Sequence, residues 1–391
     1  MMGEWKKYKL KDVCTILGDG LHGTPIYDDK GEFFFINGNN LKDGRISIKN
    51  DTKRVPYSEA NKYKKPLNNR TILVSINGTI GNVAKYQDEK CILGKSACFF
   101  NVKENVDLNF IYYVVANQQF KNTITQLATG TTIKNVSLET MRNYTFCIPP
   151  LSIQNQIGKI LSSFDDKIEL NRRINDNLEQ QAQALFNYYF IDTPELLGEF
   201  SAGSLADAAN YVNGLAMQKY RPINGEKGLP VLKIKELGQG RIDSSSDFCS
   251  NEIDSYYKVY DGDVIFSWSG TLMVKIWCGG KCGLNQHLFK VSSKTTPKWF
   301  YYFWTKHHLD NFIRIAKDKA VTMGHIKRGE LEKAEVLFPN NSVMKKLDTL
   351  MAPFLDQIIE KECEIRKLAL LRDTLLPKLI SGELVINDIN N

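Results

Sequence analysis

The feature that most constrains this chain is that it repeats itself. Leu10 and Asp12, in KLKDV, recur as Leu205 and Asp207, in SLADA, at an offset of 195 residues. NLKDGRI, with Leu41, Gly44, Arg45 and Ile46, recurs as ELGQGRI, with Leu237, Gly240, Arg241 and Ile242, at offset 196. ILVSINGTIG at 72–81 matches VIFSWSGTLM at 264–273, which lays Ser75, Gly78 and Thr79 over Ser267, Gly270 and Thr271 at offset 192. CIPPLS at 147–152 matches LFPNNS at 337–342 at offset 190, and Phe164, Asp166 and Ile168 continue it as Phe354, Asp356 and Ile358. Each match alone is weak. Their common order and slowly drifting offset describe a tandem duplication of about 190 residues. That period is far too long for a solenoid, so each copy is a folded unit.

Both copies have the same internal grammar. First comes a region rich in short apolar runs, such as FFFI (33–36), TILVSI (71–76), VIFSW (264–268) and HLFKV (287–291). Gly, Asn, Asp and Pro clusters bound these runs, which predicts strands and turns. NFIYYVVANQQFKNTI (109–124) and KWFYYFWTKHHLDNFI (298–313) carry helical spacing. Each copy then closes in a long amphipathic helix. In the first, Ile153, Ile157, Ile160, Phe164, Ile168, Ile174, Leu178, Ala182, Leu185 and Tyr189 hold one stripe, interrupted only by the polar turn around Asn171. Residues 152–190 would give a helix of about 58 Å. The second stripe runs Val343, Leu347, Leu350, Phe354, Ile358, Ile365, Leu368, Leu371, Leu375 and Leu379. There Pro353 is expected to kink the helix or mark its true start, and Pro377 and Gly382 to end it.

A long helix with one narrow apolar face wants a partner helix. The two copies supply each other's, as an antiparallel pair with pseudo-twofold symmetry. The predicted fold class is therefore α+β: two strand-rich α/β regions separated by two long antiparallel coiled-coil helices. The predicted boundaries are 1–150, 151–192, 193–340 and 341–384. Two heads on a rigid spacer suit a target with two spaced half-sites, which is a geometric argument for DNA.

Composition excludes several classes. Hydrophobic residues make up 42% of the chain, enough to build cores and to rule out wholesale disorder. No run of 18 apolar residues appears, so no membrane span is expected. MMGEWKKYKLKD has no apolar stretch of the secretory kind, and a cytoplasmic protein is expected. The eight cysteines are scattered and read as reduced thiols. Cys278, Cys282 and His287 come nearest to a metal pattern, but their spacing is off for a zinc knuckle, and no metal is assigned. The net charge of +7 permits nucleic-acid binding without demanding it.

The run ATGTTIKNVSLETMRNYTFCIPPLSIQNQIGKIL (128–161), the C-terminal LRDTLLPKLISGEL (371–384) and the two-copy layout resemble the specificity subunits of type I restriction–modification systems. Within the first run, Gly130, Thr131, Thr132 and Ile133 and then Ile148, Pro149, Pro150, Leu151 and Gln156 carry the likeness. The second copy departs, with AVTMGHIK (320–327) and FPNNSVMKKL (338–347) in the matching places. The resemblance implies that each globular region is a target recognition domain reading one part of a split double-stranded DNA sequence. It implies that the long helices are spacers that fix the gap and dock two methyltransferase subunits, which methylate adenine N6. A restriction (motor) subunit would add ATP-driven translocation and cleavage. S-adenosylmethionine, ATP and Mg would then belong to those partners, none being bound by this chain, and the chain would hold no catalytic centre.

The residues agree with that expectation. Adenine methylases need an Asn/Asp-Pro-Pro-aromatic loop, whereas the only Pro-Pro here lies in Ile148-Pro149-Pro150-Leu151. Gly94-Lys95-Ser96 looks like the tail of a phosphate loop, but Glu89 stands where the leading glycine belongs. Alternatives from other classes stay open at this point: a self-sufficient nuclease or methylase with degenerate motifs, an interaction scaffold, and a decoy specificity subunit without a cleavage partner.

Residues that read DNA should lie on Gly/Asn-rich loops bearing Lys, Arg, Asn, Gln or Ser. In the first copy these are His22 and Thr24 in GDGLHGTP, and Asn37, Asn39 and Asn40 after a strand. In the second they are Gln218, Lys219, Tyr220 and Arg221 in NGLAMQKYRP, and Lys233 and Lys235 in the region matching the asparagines. The plain reading of each is a surface turn. Residues shared by both copies serve the common fold, since two different half-sites need different readers. Asn77 and Trp268, which differ, are therefore weighted above the shared Gly78 and Gly270. Thr131, Thr132 and Lys134 are expected on phosphate or at the helix start, with Lys319, His325 and Lys327 as looser analogues. Arg172, Arg173, Glu179, Arg366 and Arg372 on the helices read as solvated charges, with partner docking as the alternative.

Overall fold

The apolar run TILVS is a strand, Thr71–Ser75, buried along its whole length, as a continuous apolar run without alternation requires. The computed structural model describes residues 5–223, 225–318 and 326–384. It divides into two units, Met1–Asp166 with Leu370–Asn391, and Lys167–Ala369.

In the first unit, Thr71–Ser75 lies inside an antiparallel sheet ordered Cys14–Asp19, Ala97–Val102, Thr71–Ser75, Val83–Lys85. Phe110, Val114, Phe120 and Ile124 from two helices bury one side of it against Ile72, Val74 and Phe100. Leu73 and Phe99 point the other way, into a smaller cluster with Ile36 and Leu93. Those last two come from a second sheet in which Phe33–Ile36 runs parallel to Cys91–Leu93. Lys6–Lys9 pairs antiparallel with Thr145–Ile148, which ties the start of the unit to its end.

The second unit repeats this plan. Its main sheet is ordered Asn210–Asn213, Leu288–Ser292, Asp263–Ser267, Met273–Trp277. Leu229–Leu232 runs parallel to Cys282–Leu284, and Phe200–Ser204 pairs antiparallel with Glu335–Pro339. The duplication in sequence is thus a duplication of sheets. Local structure still diverges where the motif is kept. NLKDGRI forms a hairpin turning at Asp43 (φ 50°) and Gly44 (φ 81°), whereas ELGQGRI ends a helix, Ile234–Gln239, with Gly240 in the left-handed region.

Each stretch of short helical spacing is two helices, not one. Leu108–Ala116 stops at Asn117, whose side chain accepts from the Gln119 N–H at 3.0 Å and caps Gln118–Gln126. In the second unit the stretch likewise divides, into Lys298–His307 and Leu309–Asp318, with the break at His308. The spacing runs on across each break because both helices face one core.

The long helices are Leu151–Asn187, followed by a π-helical turn at Tyr188–Asp192, and Asn341–Ser381. Pro353 neither breaks nor starts the second helix. It is exposed, and Leu347, Met351, Leu355 and Ile358 around it are buried. Their burial, about 1.5–3 kcal/mol per side chain, offsets the roughly 3 kcal/mol of an internal proline. Pro377 also lies within the helix, which ends at Gly382 (φ 75°). Ile157 and Leu161 of the first helix join Leu376 and Leu379 of the second in the core of the first unit. In the second unit the two segments are antiparallel: Lys167 meets Glu364 at 3.8 Å, while Asn175 Nδ2 donates to Glu362 Oε1 at 2.9 Å and to the Ile358 carbonyl. Asn171, which reads as a polar break in the stripe, is fully buried.

Three of the helix charges are not free surface charges. Glu179 accepts from the Tyr302 hydroxyl at 2.7 Å and from Lys306 at 2.6 Å, and these two hold its carboxyl below the usual range against the opposing effect of burial. Arg366 pairs with Asp261 and donates to the Cys278 carbonyl. Arg372 pairs with Asp165, which also accepts from the buried Tyr113 hydroxyl at 2.5 Å. Among the described residues, no helix is long and apolar enough to cross a membrane.

Candidate nucleic-acid interface

In the first unit, the strand Cys14–Asp19 runs out at Gly20, and the chain then crosses the end of the second sheet. The Leu21 N–H donates to the Leu93 carbonyl at 2.7 Å, and the Lys95 N–H returns a bond to the Leu21 carbonyl at 3.0 Å. Gly94-Lys95-Ser96-Ala97 is a tight turn closed by Ala97 N–H on the Gly94 carbonyl at 3.0 Å. Gly94 leaves room there for the Asn37 side chain, whose Oδ1 would lie 2.2 Å from a Cβ at this position. This crossing leaves a cavity of about 410 Å³ lined by His22, Thr24, Asn37 and Lys95, with Tyr27 and Phe35 as its aromatic walls. His22 is held by Asp19 at 2.6 Å. Asn37 Oδ1 accepts from the Ser96 hydroxyl at 2.9 Å, and the same oxygen of Ser96 accepts from the Gly38 N–H.

Asn39 is exposed on the turn beside Asn37, but Asn40 is not. Its Oδ1 accepts from the Asn37 N–H at 3.0 Å and its Nδ2 donates to the Ser47 carbonyl at 3.1 Å, so its amide builds the turn. Asn77 joins a second cluster. Its Nδ2 donates to Asn135 Oδ1 at 3.3 Å, and the Gly78 N–H donates to the Lys134 carbonyl at 3.2 Å. Thr129 and Asn135 exchange backbone hydrogen bonds of 2.9 and 2.7 Å. They close an exposed loop that carries Thr131, Thr132 and Lys134 at its tip. The two clusters meet at the turn: the Ile76 N–H donates to the Ser96 carbonyl at 2.9 Å.

The second unit builds the same frame with other side chains. The Leu215 N–H donates to Leu284 O at 2.9 Å, Gln286 N–H to Leu215 O at 2.9 Å, and Leu288 N–H to Asn285 O at 3.0 Å. Gln218, Arg221 and Lys233 line the resulting cavity of about 260 Å³, together with Asp247, Gln286 and His287. Lys233 pairs with Asp247, and that contact holds the Asp247 carboxyl below its usual range. Lys219 and Tyr220 are exposed and do not line the cavity. Lys235 is turned away into its own loop, on Asp243 at 2.9 Å.

Trp268 is half-buried, its ring on Phe289 at 5.6 Å and its indole N–H on Asn213 Oδ1 at 3.1 Å, so it is built into the edge of the core. Lys319 and His325 lie outside the described residues. Lys327 is exposed but is not the analogue of Lys134. The Ile326 N–H bonds the Trp268 carbonyl as the Val136 N–H bonds that of Ile76, which puts Lys327 at the place of Ser137.

Sequence reading sets Gly94-Lys95-Ser96 aside as a chance likeness to the tail of a phosphate loop, and leaves His287 in a pattern to which no metal is assigned. It therefore misses that the two are one turn in two copies. The signal was available: aligning Leu93 with Leu284 lays Lys95 over Gln286 and Ser96 over His287. The metal pattern itself does not assemble. Cys282 is fully buried in its strand, burial pushes the Cys278 thiol up to about 12, and His287 bonds Ser269. Among the described residues, no group of three His, Cys, Asp or Glu side chains could hold a metal ion.

The comparisons with known proteins agree with this architecture. The type I restriction modification DNA specificity domain matches the chain twice, at residues 2–180 and 198–371. The type I restriction enzyme MjaIX specificity subunit of Methanocaldococcus jannaschii is 26% identical over 344 residues, 82% of this chain and 78% of that one. A putative type I specificity subunit of Mycoplasma pneumoniae is 26% identical over 397 residues, 96% of each chain. The crystal structure of the type I restriction–modification S subunit from M. genitalium shares the fold, with a TM-score of 0.57 at 18% identity over 97% of both chains. The chain belongs to the family of type I restriction–modification specificity subunits, proteins that give such a system its DNA-sequence specificity.

Proposed function

We propose that this chain reads an asymmetric, bipartite double-stranded DNA target, one half-site per unit. It directs adenine methylation by two methyltransferase subunits and restriction by motor subunits. The chain itself performs no chemistry. S-adenosylmethionine, ATP and Mg act on the partners, and the complex works in the cytoplasm, where its DNA is.

One observation carries this reading. The two units share a backbone frame bond for bond around a cavity, yet they line it with different donors and acceptors. A common frame with divergent polar lining is what two readers of two sequences require, because base edges are told apart by donor and acceptor pattern. Lys134, Lys219 and Arg221 are exposed, and phosphate contacts from such cations would orient the duplex.

The test is binding of the chain, complexed with its methyltransferase, to a pool of random duplexes at graded salt. The reading predicts enrichment of one split motif and an affinity that falls steeply with salt, as counterion release demands. Salt-insensitive binding, or no selected motif, would overturn it in favour of a protein-binding scaffold.

A further inference from the structure

We infer that the turn at Lys95 and Gln286 is a specificity switch, in which Gln286 reads an adenine of the second half-site and Lys95 a guanine at the corresponding place of the first. The inference rests on the DNA-reading function proposed above and assigns the base chemistry of its two units.

The positions are equivalent by structure. Lys95 and Gln286 each donate their backbone N–H to a leucine carbonyl, Leu21 at 3.0 Å and Leu215 at 2.9 Å. Each follows a residue bonded back to the parallel strand, Gly94 to Ile36 at 2.8 Å and Asn285 to Leu232 at 3.1 Å. Each stands on the wall of its unit's cavity. The backbone at this point is fixed in both units, and only the side chain is free to differ.

Gln286 is prepared for a bidentate contact. Its Nε2 lies 3.3 Å from His287 Nε2, and His287 Nδ1 lies 3.0 Å from the Ser269 hydroxyl. An amide nitrogen can only donate, so His287 Nε2 accepts and the imidazole proton sits on Nδ1, facing Ser269. One amide proton of Gln286 is thereby spent on orientation. The other proton and Oε1 have no partner among the described residues. That remaining pair, one donor beside one acceptor, is the complement of adenine N7 and N6 in the major groove. Phe248 and Val231 line the same cavity and supply apolar contact next to it.

Lys95 offers donors only, and it is exposed at the mouth of its cavity. Guanine presents two acceptors, O6 and N7, at the place where adenine presents one of each, so a lysine in this turn favours guanine. Ser96, the counterpart of His287, is committed to Asn37 and Gly38 and leaves Lys95 unbraced.

The experiment is an exchange made in the full chain bound to its methyltransferase, read by selection from random duplexes. Gln286→Lys should turn one adenine of the second half-site to guanine, and Lys95→Gln should turn one guanine of the first half-site to adenine. Each preference should be roughly 5- to 150-fold, the range of one good bidentate contact. The half-site read by the untouched unit serves as the folding control within each variant. His287→Ala should weaken the adenine preference of the second half-site and leave the salt slope unchanged, since no phosphate contact is removed.

If both exchanges bind and select the wild-type motif, the inference is overturned while the DNA-reading function stands. If wild type itself selects no motif, the underlying function fails instead. A variant that loses its altered half-site altogether is decided by Gln286→Ala. Loss of adenine preference with retained binding supports the assignment, and an unchanged motif refutes it.

Discussion

A single methyl group at Gly214 tests whether the reading turn is held where the structure places it. Gly214 lies where the chain leaves the main sheet and passes under the turn Asn285–Leu288, its N–H donating to the Leu288 carbonyl at 3.1 Å. A Cβ there would stand 2.2 Å from the Asn285 carbonyl oxygen and 2.4 Å from that of Leu284. Both neighbours are backbone, so no side chain can rotate out of the way, and the turn must move by roughly 1 Å. Overpacking of this kind costs about 1–3 kcal/mol. At about 2–4 °C per kcal/mol for a domain of this size, Gly214→Ala should lower the melting temperature by roughly 2–12 °C. It should also blur the second half-site in duplex selection and leave the first sharp. Gly20 occupies the matching place, 2.1 Å from the Leu93 carbonyl, and Gly20→Ala should do the reverse. Gly23→Ala is the control, because nothing lies within 4 Å of its Cβ. A Gly214→Ala protein with wild-type melting and a wild-type motif would refute the claim that this crossing fixes the reader.

Two further outcomes follow from the packing. Asp165→Ala leaves the buried Tyr113 hydroxyl without its acceptor and removes the ion pair to Arg372. It should destabilise the protein by about 1–3 kcal/mol in denaturant titration, whereas an unchanged midpoint would return Arg372 to the solvated surface. Burial lowers the affinity of His307 and His308 for protons. The unfolded chain therefore binds more protons between the lowered values and about 6.5, and stability rises with pH across that window. Acidifying from about pH 7.5 to 5.5 should cost wild type more melting temperature than a His307→Gln/His308→Gln protein; parallel curves would remove the histidines from the balance.

The duplicated sheets were legible in sequence because Ile72, Leu73 and Val74, like Val264, Ile265 and Phe266, are buried on both faces of their strands and so read as apolar runs. The long helices were legible for the same reason, but their prolines misled. Propensity marks Pro353 as a break, and packing on the opposite face overrides it. Ion pairs such as Asp165 with Arg372 were hidden because the partners are 207 residues apart. In the candidate site, Gln218, Arg221 and Lys233 could be found by residue type and do share a cavity. Lys95, Gln286 and His287 do not resemble one another, and only the flanking Leu93 and Leu284 mark their places as equivalent in sequence; backbone hydrogen bonding is what makes the frame common.

The most direct test of the central claim is to co-express the chain with its methyltransferase subunit and sequence the methylated adenines across the host DNA. The account predicts modified adenines within one split motif, lost when this chain is omitted and changed in one half only when one unit is altered. Methylation that persists in the same motif without this chain would contradict it.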